Sequence, residues 1–281
     1  MGPGPYPVVM NFKHATVQNP QITLPASRLC LIVLSLFLGG QGSRATFAAE
    51  TAGGAQSVPT PKRVIVPKLQ GPLKIDAERT ESVWAKAAVL HPFLRNNDGS
   101  RERESTEVRL WYDDQALYMF WTCMDGDIQA TFKERDSKFW EEEVAEFFIT
   151  PKDLARYFEL QWNPLGGVFD AMIKNNLDEK GISKSINGDW SFTAKGMRSA
   201  VKVKGTVNQS HDRDELWQVE VRIPFADLGQ SAPKPGEVWR ANFYRFNRDQ
   251  RHPVELLCWT PTWLPSFHQP SRFGYLEFGS E

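Results

Sequence analysis

The chain has little cysteine and almost no net charge. The first shortage excludes one class of fold, and the second excludes one class of partner. Three cysteines in 281 residues are too few for a fold built on disulfides. The 33 basic and 34 acidic side chains give a formal net charge of −1, which excludes the broad cationic surface that non-specific nucleic-acid binding requires. We therefore expect a fold stabilised by packing, and no nucleic-acid partner.

Motifs for several common enzyme classes are also missing. The chain has no G-x-S-x-G elbow, no glycine-rich phosphate loop and no H-E-x-x-H pair. Paired carboxylates are the enzymatic alternative, because a glycosidase needs two of them flanking a sugar. The candidate carboxylates are Glu141, Glu142, Glu143, Glu146, Glu159 and Asp170.

The first 49 residues differ in composition from the rest. They contain three basic residues and no acidic one, which leaves 30 basic and 34 acidic side chains for the remainder. Arg28 precedes the apolar run Leu29 to Leu38, and small residues follow that run up to Ala48 and Ala49. This order is typical of a secretory signal peptide, and the run is shorter than the roughly 20 residues that a spanning helix needs. We expect residues 1–49 to be a leader for export, without a permanent membrane span.

Strand-like alternation dominates the rest of the chain. Residues 50–61 form the predicted linker, and residues 62–281 form one predicted domain. Ala77 to Ala88 fits one short helix, whereas TEVRLWY and ALYMFWTC alternate as the two strands of a hairpin. Regular strands with little helix predict an all-β fold, a single antiparallel β-sandwich with one or two short helices. The strands are predicted at 64–66, 106–112, 116–123, 144–150, 157–163, 168–173, 197–207, 216–223, 238–246, 255–260 and 272–278.

Aromatic side chains are abundant. Ten Trp, 18 Phe and six Tyr indicate a wide apolar core, a stacking surface, or both. We expect five of the tryptophans to be core residues. They are Trp84, Trp111, Trp121, Trp217 and Trp239.

Six segments carry a pattern that runs in order from about Val66 to Phe278. The segments are LKIDAERTESVW, VRLWYDDQALYMFWTCMD, KFWEEEVAEFFITP, YFELQWNPLG, WQVEVRIPFADL and WTPTWLPSFHQPSRFGYLEF. Together they resemble the family 9 carbohydrate-binding modules and their stand-alone relatives in the DOMON-like β-sandwich superfamily. The resemblance implies a jelly-roll-like sandwich in which two aromatic rings clamp a terminal sugar on the concave face of one sheet. Polar groups on that face would bind the sugar hydroxyls.

The resemblance implies three site residues at matching positions. Trp140 lies six residues before the strand acid Glu146, as the first clamp ring of the family does, and Asn163 matches a sugar-binding Asn. Strand alternation places Glu146 on the same face as Val144 and Phe148. Because Trp140 precedes the strand, we expect an exposed ring whose removal costs little stability.

Two further positions depart from the family pattern. Gln161 stands where the sugar binders have Arg, which replaces a charge-assisted contact with a neutral one. Phe267 stands where the second clamp residue is a Trp, and Trp263, four residues earlier, is the alternative ring. We therefore expect an oligosaccharide or polysaccharide ligand. The predicted binding residues are Trp140, Glu146, Gln161, Asn163, Trp263 and Phe267.

Cofactor and disulfide assignments stay open. Asp76 and Glu78 resemble acidic positions where relatives hold calcium, so a structural calcium ion is one alternative to having no cofactor. Cys123 and Cys258 each end a predicted strand, and they either pair or stay as buried thiols.

The expected function is non-catalytic binding of a glycan end by a secreted protein, within polysaccharide breakdown. One alternative is an activity associated with glycoside hydrolases acting on xylan-type substrates, through the paired carboxylates. Another is the haem-b electron-transfer branch of the superfamily, for which Met119 and Met124 are the methionines to consider as ligands. The sugar and the oligomeric state are left undefined by the sequence.

Export can be tested on the secreted protein. Because the charge composition changes at residue 50, we expect cleavage near Ala48 or Ala49. N-terminal sequencing of the mature protein measures the position. A mature chain that still begins at Met1 or Met10 would contradict the prediction.

Overall fold

The structure is a computed structural model, and it describes residues 58–79 and 82–280. The predicted leader and residues 50–57 of the predicted linker lie outside the described residues. Within the described ranges, no helix combines the length and the apolar character needed to cross a membrane.

The described residues form an all-β structure, as predicted. Helical structure in them is limited to short 3₁₀ turns at Ser82–Lys86, Phe139–Glu141, Phe225–Leu228 and Pro270–Arg272. The strands are β1 (Arg63–Val66), β2 (Ala88–Leu90), β3 (Leu94–Arg95), β4 (Thr106–Tyr112), β5 (Ala116–Met124), β6 (Val144–Thr150), β7 (Arg156–Trp162), β8 (Val168–Leu177), β9 (Ser183–Asp189), β10 (Arg198–Lys204), β11 (Leu216–Pro224), β12 (Val238–Asn247), β13 (Glu255–Cys258) and β14 (Gly274–Phe278).

The strands pair into two sheets that pack face to face. A nine-stranded sheet has the order β1-β14-β12-β6-β7-β8-β9, with β13 added to β12 and β3 added to β13. A five-stranded sheet has the order β10-β11-β5-β4-β2. The predicted antiparallel β-sandwich is confirmed, and one strand pair in it, β1 with β14, runs parallel. No hairpin connects those two strands, so no turn imposes opposite directions on them.

Every strand expected from the sequence is present, with ends shifted by a few residues. The sequence reading missed β2 and β3, which are too short to alternate, and β9. The β9 segment SKSINGD is polar, and its Asn187-Gly188 pair indicates a turn rather than a strand. The helix expected over Ala77 to Ala88 is reduced to the 3₁₀ turn Ser82–Lys86, which buries Trp84 against Phe120.

The inner faces of the two sheets share one apolar core. Trp121 and Trp217 from the small sheet meet Phe147, Phe243 and Trp239 from the large one. Alternation along β6 sends Ala145, Phe147 and Ile149 into this core, opposite the face of Glu146. All five tryptophans expected in the core are buried.

The two cysteines named above cannot form a disulfide, because they lie on different sheets and on opposite sides of the large one. Cys123 belongs to the core between the sheets, and Cys258 belongs to the apolar cluster on the outer face of the large sheet. Both are free and buried. Burial raises the pKa of the Cys123 thiol to about 12, so this thiol stays neutral.

One arginine is fully buried between the sheets at their edge. The Arg245 guanidinium donates through Nε to Glu143 Oε1 at 2.8 Å and through Nη2 to Asp125 Oδ2 at 2.9 Å. Its Nη1 donates to the carbonyl of Met124 at 2.9 Å. The indole of Trp217 also donates to Glu143, at 3.2 Å. A buried charge is tolerated when it is paired and hydrogen-bonded, and these contacts meet that condition.

Replacing this arginine should therefore damage the fold. We expect Arg245→Met to lower the free energy of unfolding by about 3 to 5 kcal/mol, because it leaves buried acids without a cation. Denaturant unfolding measures the change. Arg63→Met is the matched control: Arg63 bonds Glu277 at the surface at 2.9 Å, and exposed pairs contribute about 0 to 1 kcal/mol. Equal effects from both substitutions would contradict the role given to Arg245.

Candidate functional site

The outer face of the nine-stranded sheet is also apolar, although no second sheet of the described residues packs on it. Its cluster includes Phe148 on β6, Tyr157 on β7, Phe169 on β8 and Tyr244 on β12. Two connections supply side chains that cover this face, residues 125–143 before β6 and residues 259–273 before β14. Side chains from these connections occupy the place that a further sheet would take.

Backbone pairing aligns four side chains in one row across this face. Tyr244 on β12 pairs with Glu146 on β6, Glu146 pairs with Gln161 on β7, and Gln161 pairs with Phe169 on β8. Directly paired residues point to the same side of a sheet. The row therefore presents two polar side chains between two aromatic ones.

Each covering connection places one aromatic ring against the row, and the two rings lie at opposite ends of it. Phe267 stacks on Tyr244 with ring centroids 4.1 Å apart and an interplanar angle of 16°. Trp140 packs edge to face on Phe169, with centroids 5.5 Å apart and an angle of 82°. The structure thus brings Trp140, Glu146, Gln161 and Phe267 to one face, with the polar pair between the two rings.

The expectation that Trp140 is an exposed ring is wrong. Only 8% of the residue is accessible, because the 3₁₀ turn Phe139–Glu141 folds back onto β8 and sets the indole against Phe169 and Trp190. The carbonyl of Trp140 accepts a hydrogen bond from Arg248 Nη2 at 3.0 Å. This ring therefore packs as a core side chain does, while it also marks one end of the row.

The polar side chains of this face keep unused hydrogen-bonding capacity. Glu146 is 2% exposed, and within residues 58–79 and 82–280 its carboxylate has neither a hydrogen bond nor an ion pair. Gln161 donates through Nε2 to Glu159 Oε1 at 2.7 Å, while its Oε1 has no donor among the described residues. Burial, with the nearby Glu159 carboxylate adding to it, raises the pKa of Glu146 well above its ordinary range. Burial also raises the pKa of Glu159, to about 8.

Asn163 follows the row residue Gln161 by two positions, and its side chain already makes hydrogen bonds within the protein. Its Oδ1 accepts from the backbone N–H groups of Leu165 at 3.2 Å and Gly167 at 2.8 Å. Its Nδ2 donates to the carbonyl of Phe132 at 2.7 Å. These bonds hold the turn between β7 and β8 and leave little of the amide for a ligand.

The two candidate second rings lie in different places. Trp263 has a left-handed backbone with φ of 61°, and its N–H donates to the carbonyl of Asn96 at 3.0 Å. Its indole lies on Gly99, where an added Cβ would come within 2.4 Å of the ring. Phe267, in contrast, packs on Tyr244 and Phe246 of β12. Phe267 is therefore the ring that meets the row.

The other candidate carboxylates have other roles. Glu143 pairs with Arg245 in the buried network. Asp170 pairs with Leu160 across the strands, so it faces away from Glu159, and it accepts from Arg135 at 2.5 Å. Glu141 is exposed and pairs with Lys138. Among the described carboxylates considered from the sequence, Glu146 and Glu159 are the two that share the outer face.

Sequence reasoning gave Glu159 no binding role and missed Tyr244 and Phe169. The signal for Glu159 was present, because Glu159, Gln161 and Asn163 alternate along β7 and must share a face. The other two depend on register between distant strands. No local spacing in the sequence fixes that register.

The acidic residues considered for calcium are paired with lysines. Asp76 bonds Lys74 at 2.9 Å, and Glu78 bonds Lys202. Across the described ranges, no group of three or more His, Cys, Asp or Glu side chains is arranged to hold a metal ion. This arrangement does not fit a calcium ion, which takes six to eight oxygen ligands.

Two solved structures and one family model are similar to this chain. A protein from Bacteroides uniformis ATCC 8492, proposed to bind carbohydrate, superposes with a TM-score of 0.59 at 18% identity, covering 78% of this chain and all of that one. A family 9 carbohydrate-binding module from Caldicellulosiruptor kristjanssonii, solved in complex with cellotriose, gives a TM-score of 0.54 at 17% identity and covers 78% and 95%. No curated protein sequence matches the chain. The family model described as carbohydrate-binding family 9 matches residues 95–278, well over half of the sequence, and the chain belongs to that family.

Proposed function

We propose that this protein binds the end of an oligosaccharide or polysaccharide on the outer face of its nine-stranded sheet, without cleaving it. The observation that carries the proposal is Glu146, a carboxylate 2% exposed that has no partner in the described chain and stands in a row between aromatic side chains. A buried unpartnered acid costs stability, so its presence calls for a function. Membership of carbohydrate-binding family 9 supports a sugar as the ligand.

The row has the chemistry that a pyranose requires. The C–H faces of a pyranose are apolar, and its edge is a ring of hydroxyl groups. Trp140 and Phe267 offer apolar ring surface at the two ends of the row, and Glu146 and Gln161 Oε1 offer acceptors between them. The related module from C. kristjanssonii, solved with cellotriose, supports a glucose-type unit as one ligand.

The face is closed in this structure, so a sugar must displace a ring to reach it. Trp140 is 8% exposed and Phe267 is 6% exposed, and both belong to connections rather than strands. A connection can shift without breaking the strand pairing beneath it. We infer that ligand binding moves one of these two rings and leaves the row in place.

The proposal extends to location and biological role. The apolar run from Leu29 to Leu38 supports export of the protein. An exported glycan-binding protein fits a role in polysaccharide breakdown, including that of xylan. A glycoside hydrolase is the second candidate, because Glu146 and Glu159 are neighbouring carboxyls and hydrolases use such pairs.

Removing the unpartnered acid separates a binding role from a structural one. We expect Glu146→Leu to raise the free energy of unfolding by about 1 to 3 kcal/mol, because an unsatisfied buried polar group is removed. The same change should weaken saccharide binding at least about tenfold. Calorimetric titration with cello-, xylo- and manno-oligosaccharides and thermal unfolding measure the two effects.

Glu143→Leu is the matched contrast for this test. Glu143 is equally buried but bonds Arg245 and Trp217, so its loss should lower stability by about 3 to 5 kcal/mol. Loss of stability with Glu146→Leu at unchanged affinity would contradict the proposal. So would release of reducing ends from xylan or β-glucan by the wild type that disappears in Glu146→Gln, which would indicate a hydrolase.

Trp140 should affect both stability and binding. Truncation of a buried Trp costs about 3 to 5 kcal/mol, and Trp140 is packed on Phe169 and Trp190. We expect Trp140→Ala to lower the melting temperature strongly, and Trp140→Phe to keep the fold while weakening saccharide binding. Thermal unfolding and titration of both variants check this. An unchanged melting temperature for Trp140→Ala would show a solvent-exposed ring instead.

A further inference from the structure

The two carboxyls on the outer face lack a basic partner. None of the ion pairs within residues 58–79 and 82–280 includes Glu146 or Glu159. The buried pair Glu143 and Asp125, in contrast, shares the guanidinium of Arg245. A buried acid in a protein is paired with a cation, bound to a metal, or kept neutral by a raised pKa.

A second observation points to the same missing donor. The amide of Gln161 lies between the two acids, fully buried, and its Oε1 has no donor in the described ranges. Glu146, Glu159 and Gln161 therefore form a set of three acceptors on one face. Aromatic rings at the ends of the row, among them Tyr244, add faces whose electron density attracts cations.

We propose that the saccharide bound on this face carries a protonated amino group, which donates to Glu146, Glu159 and Gln161 Oε1. This inference rests on the proposed function and names the class of its ligand. An alkylammonium group has three donors and no acceptor, which matches the Glu146 carboxylate, Gln161 Oε1 and the Glu159 carboxylate, whose Oε1 already accepts one bond from Gln161 Nε2. A neutral sugar would also satisfy hydrogen bonds, but it would supply no counter-charge for ionised carboxylates, so the two acids would keep their protons.

The inference has a second measurable consequence, which is the release of protons when the ligand binds. Burial, with the Glu159 carboxylate adding to it, raises the pKa of Glu146 well above its ordinary range, and burial raises that of Glu159 to about 8, so the empty pair holds at least one proton at neutral pH. An ammonium group favours the ionised carboxylates, so its binding must release protons. The other titratable groups facing the pair do not change charge there: burial raises the pKa values of Tyr157 and Tyr244 well above their ordinary range and lowers that of His268 to about 4.

The wild-type protein tests the inference without any substitution. Calorimetric titrations compare glucosamine, galactosamine and mannosamine with their neutral parents glucose, galactose and mannose, and with N-acetylglucosamine. We expect at least one amino sugar to bind about tenfold or more tighter than its parent, the usual effect of a charge-assisted hydrogen bond. Repeating that titration in buffers of different ionisation enthalpy should show proton release for the amino sugar and none for its parent.

Substitutions test whether the preference for an amino sugar depends on these two acids. Glu146→Gln and Glu159→Gln should each reduce the preference for the amino sugar about tenfold, with smaller effects on neutral sugars. Glu215→Gln is the control, because Glu215 is an exposed acid paired with Lys204 near the small sheet, and it should leave the preference unchanged.

The outcomes separate this inference from the proposed function. Equal or tighter binding of the neutral parents, or of N-acetylglucosamine, would overturn the inference and keep saccharide binding. Failure of the amino sugars and of the cello-, xylo- and manno-oligosaccharides alike would overturn both. An amino-sugar preference that survives in Glu146→Gln and Glu159→Gln would place the ammonium group elsewhere and overturn the assignment to this face.

Discussion

Burial of both faces of the nine-stranded sheet is the constraint on which the rest of the structure depends. Its inner face, with Phe147 and Phe243, packs on the small sheet, which leaves the aromatic outer face without a sheet to cover it. The connections 125–143 and 259–273 supply that cover with rings of their own. Polar side chains on such a face are enclosed by aromatic groups. A few polar groups within an apolar surround are typical of small-ligand sites.

Two sets of buried acids differ in their partners, and the difference underlies the proposed ligand site. Glu143 and Asp125 surround Arg245, so their charges are neutralised within the protein. Among the residues that the structure describes, Glu146 and Glu159 have no such cation, and they lie beside a glutamine with an unused acceptor. Natural proteins accept a destabilised site where a ligand supplies what is missing.

Local pattern predicted most of the fold and the strand positions of the candidate site. Alternation placed β6 at its observed bounds and put Glu146 on the face opposite Ala145. It could not show that Trp140 is buried, because that burial depends on contacts with residues 29 and 50 positions later in the chain. Nor could spacing choose between Trp263 and Phe267, since the choice follows from the left-handed turn that sets the Trp263 indole on Gly99.

The central claim is that a saccharide binds on the outer face of the large sheet, between Trp140 and Phe267. A crystal structure of the protein grown with a saccharide that binds in solution tests this most directly. The account predicts a pyranose over the row, within hydrogen-bond distance of Glu146 and Gln161 Oε1, with one of the two rings displaced. A sugar bound elsewhere, for example in the groove lined by Arg198 and Arg222 beside the small sheet, with the outer face unchanged, would contradict it.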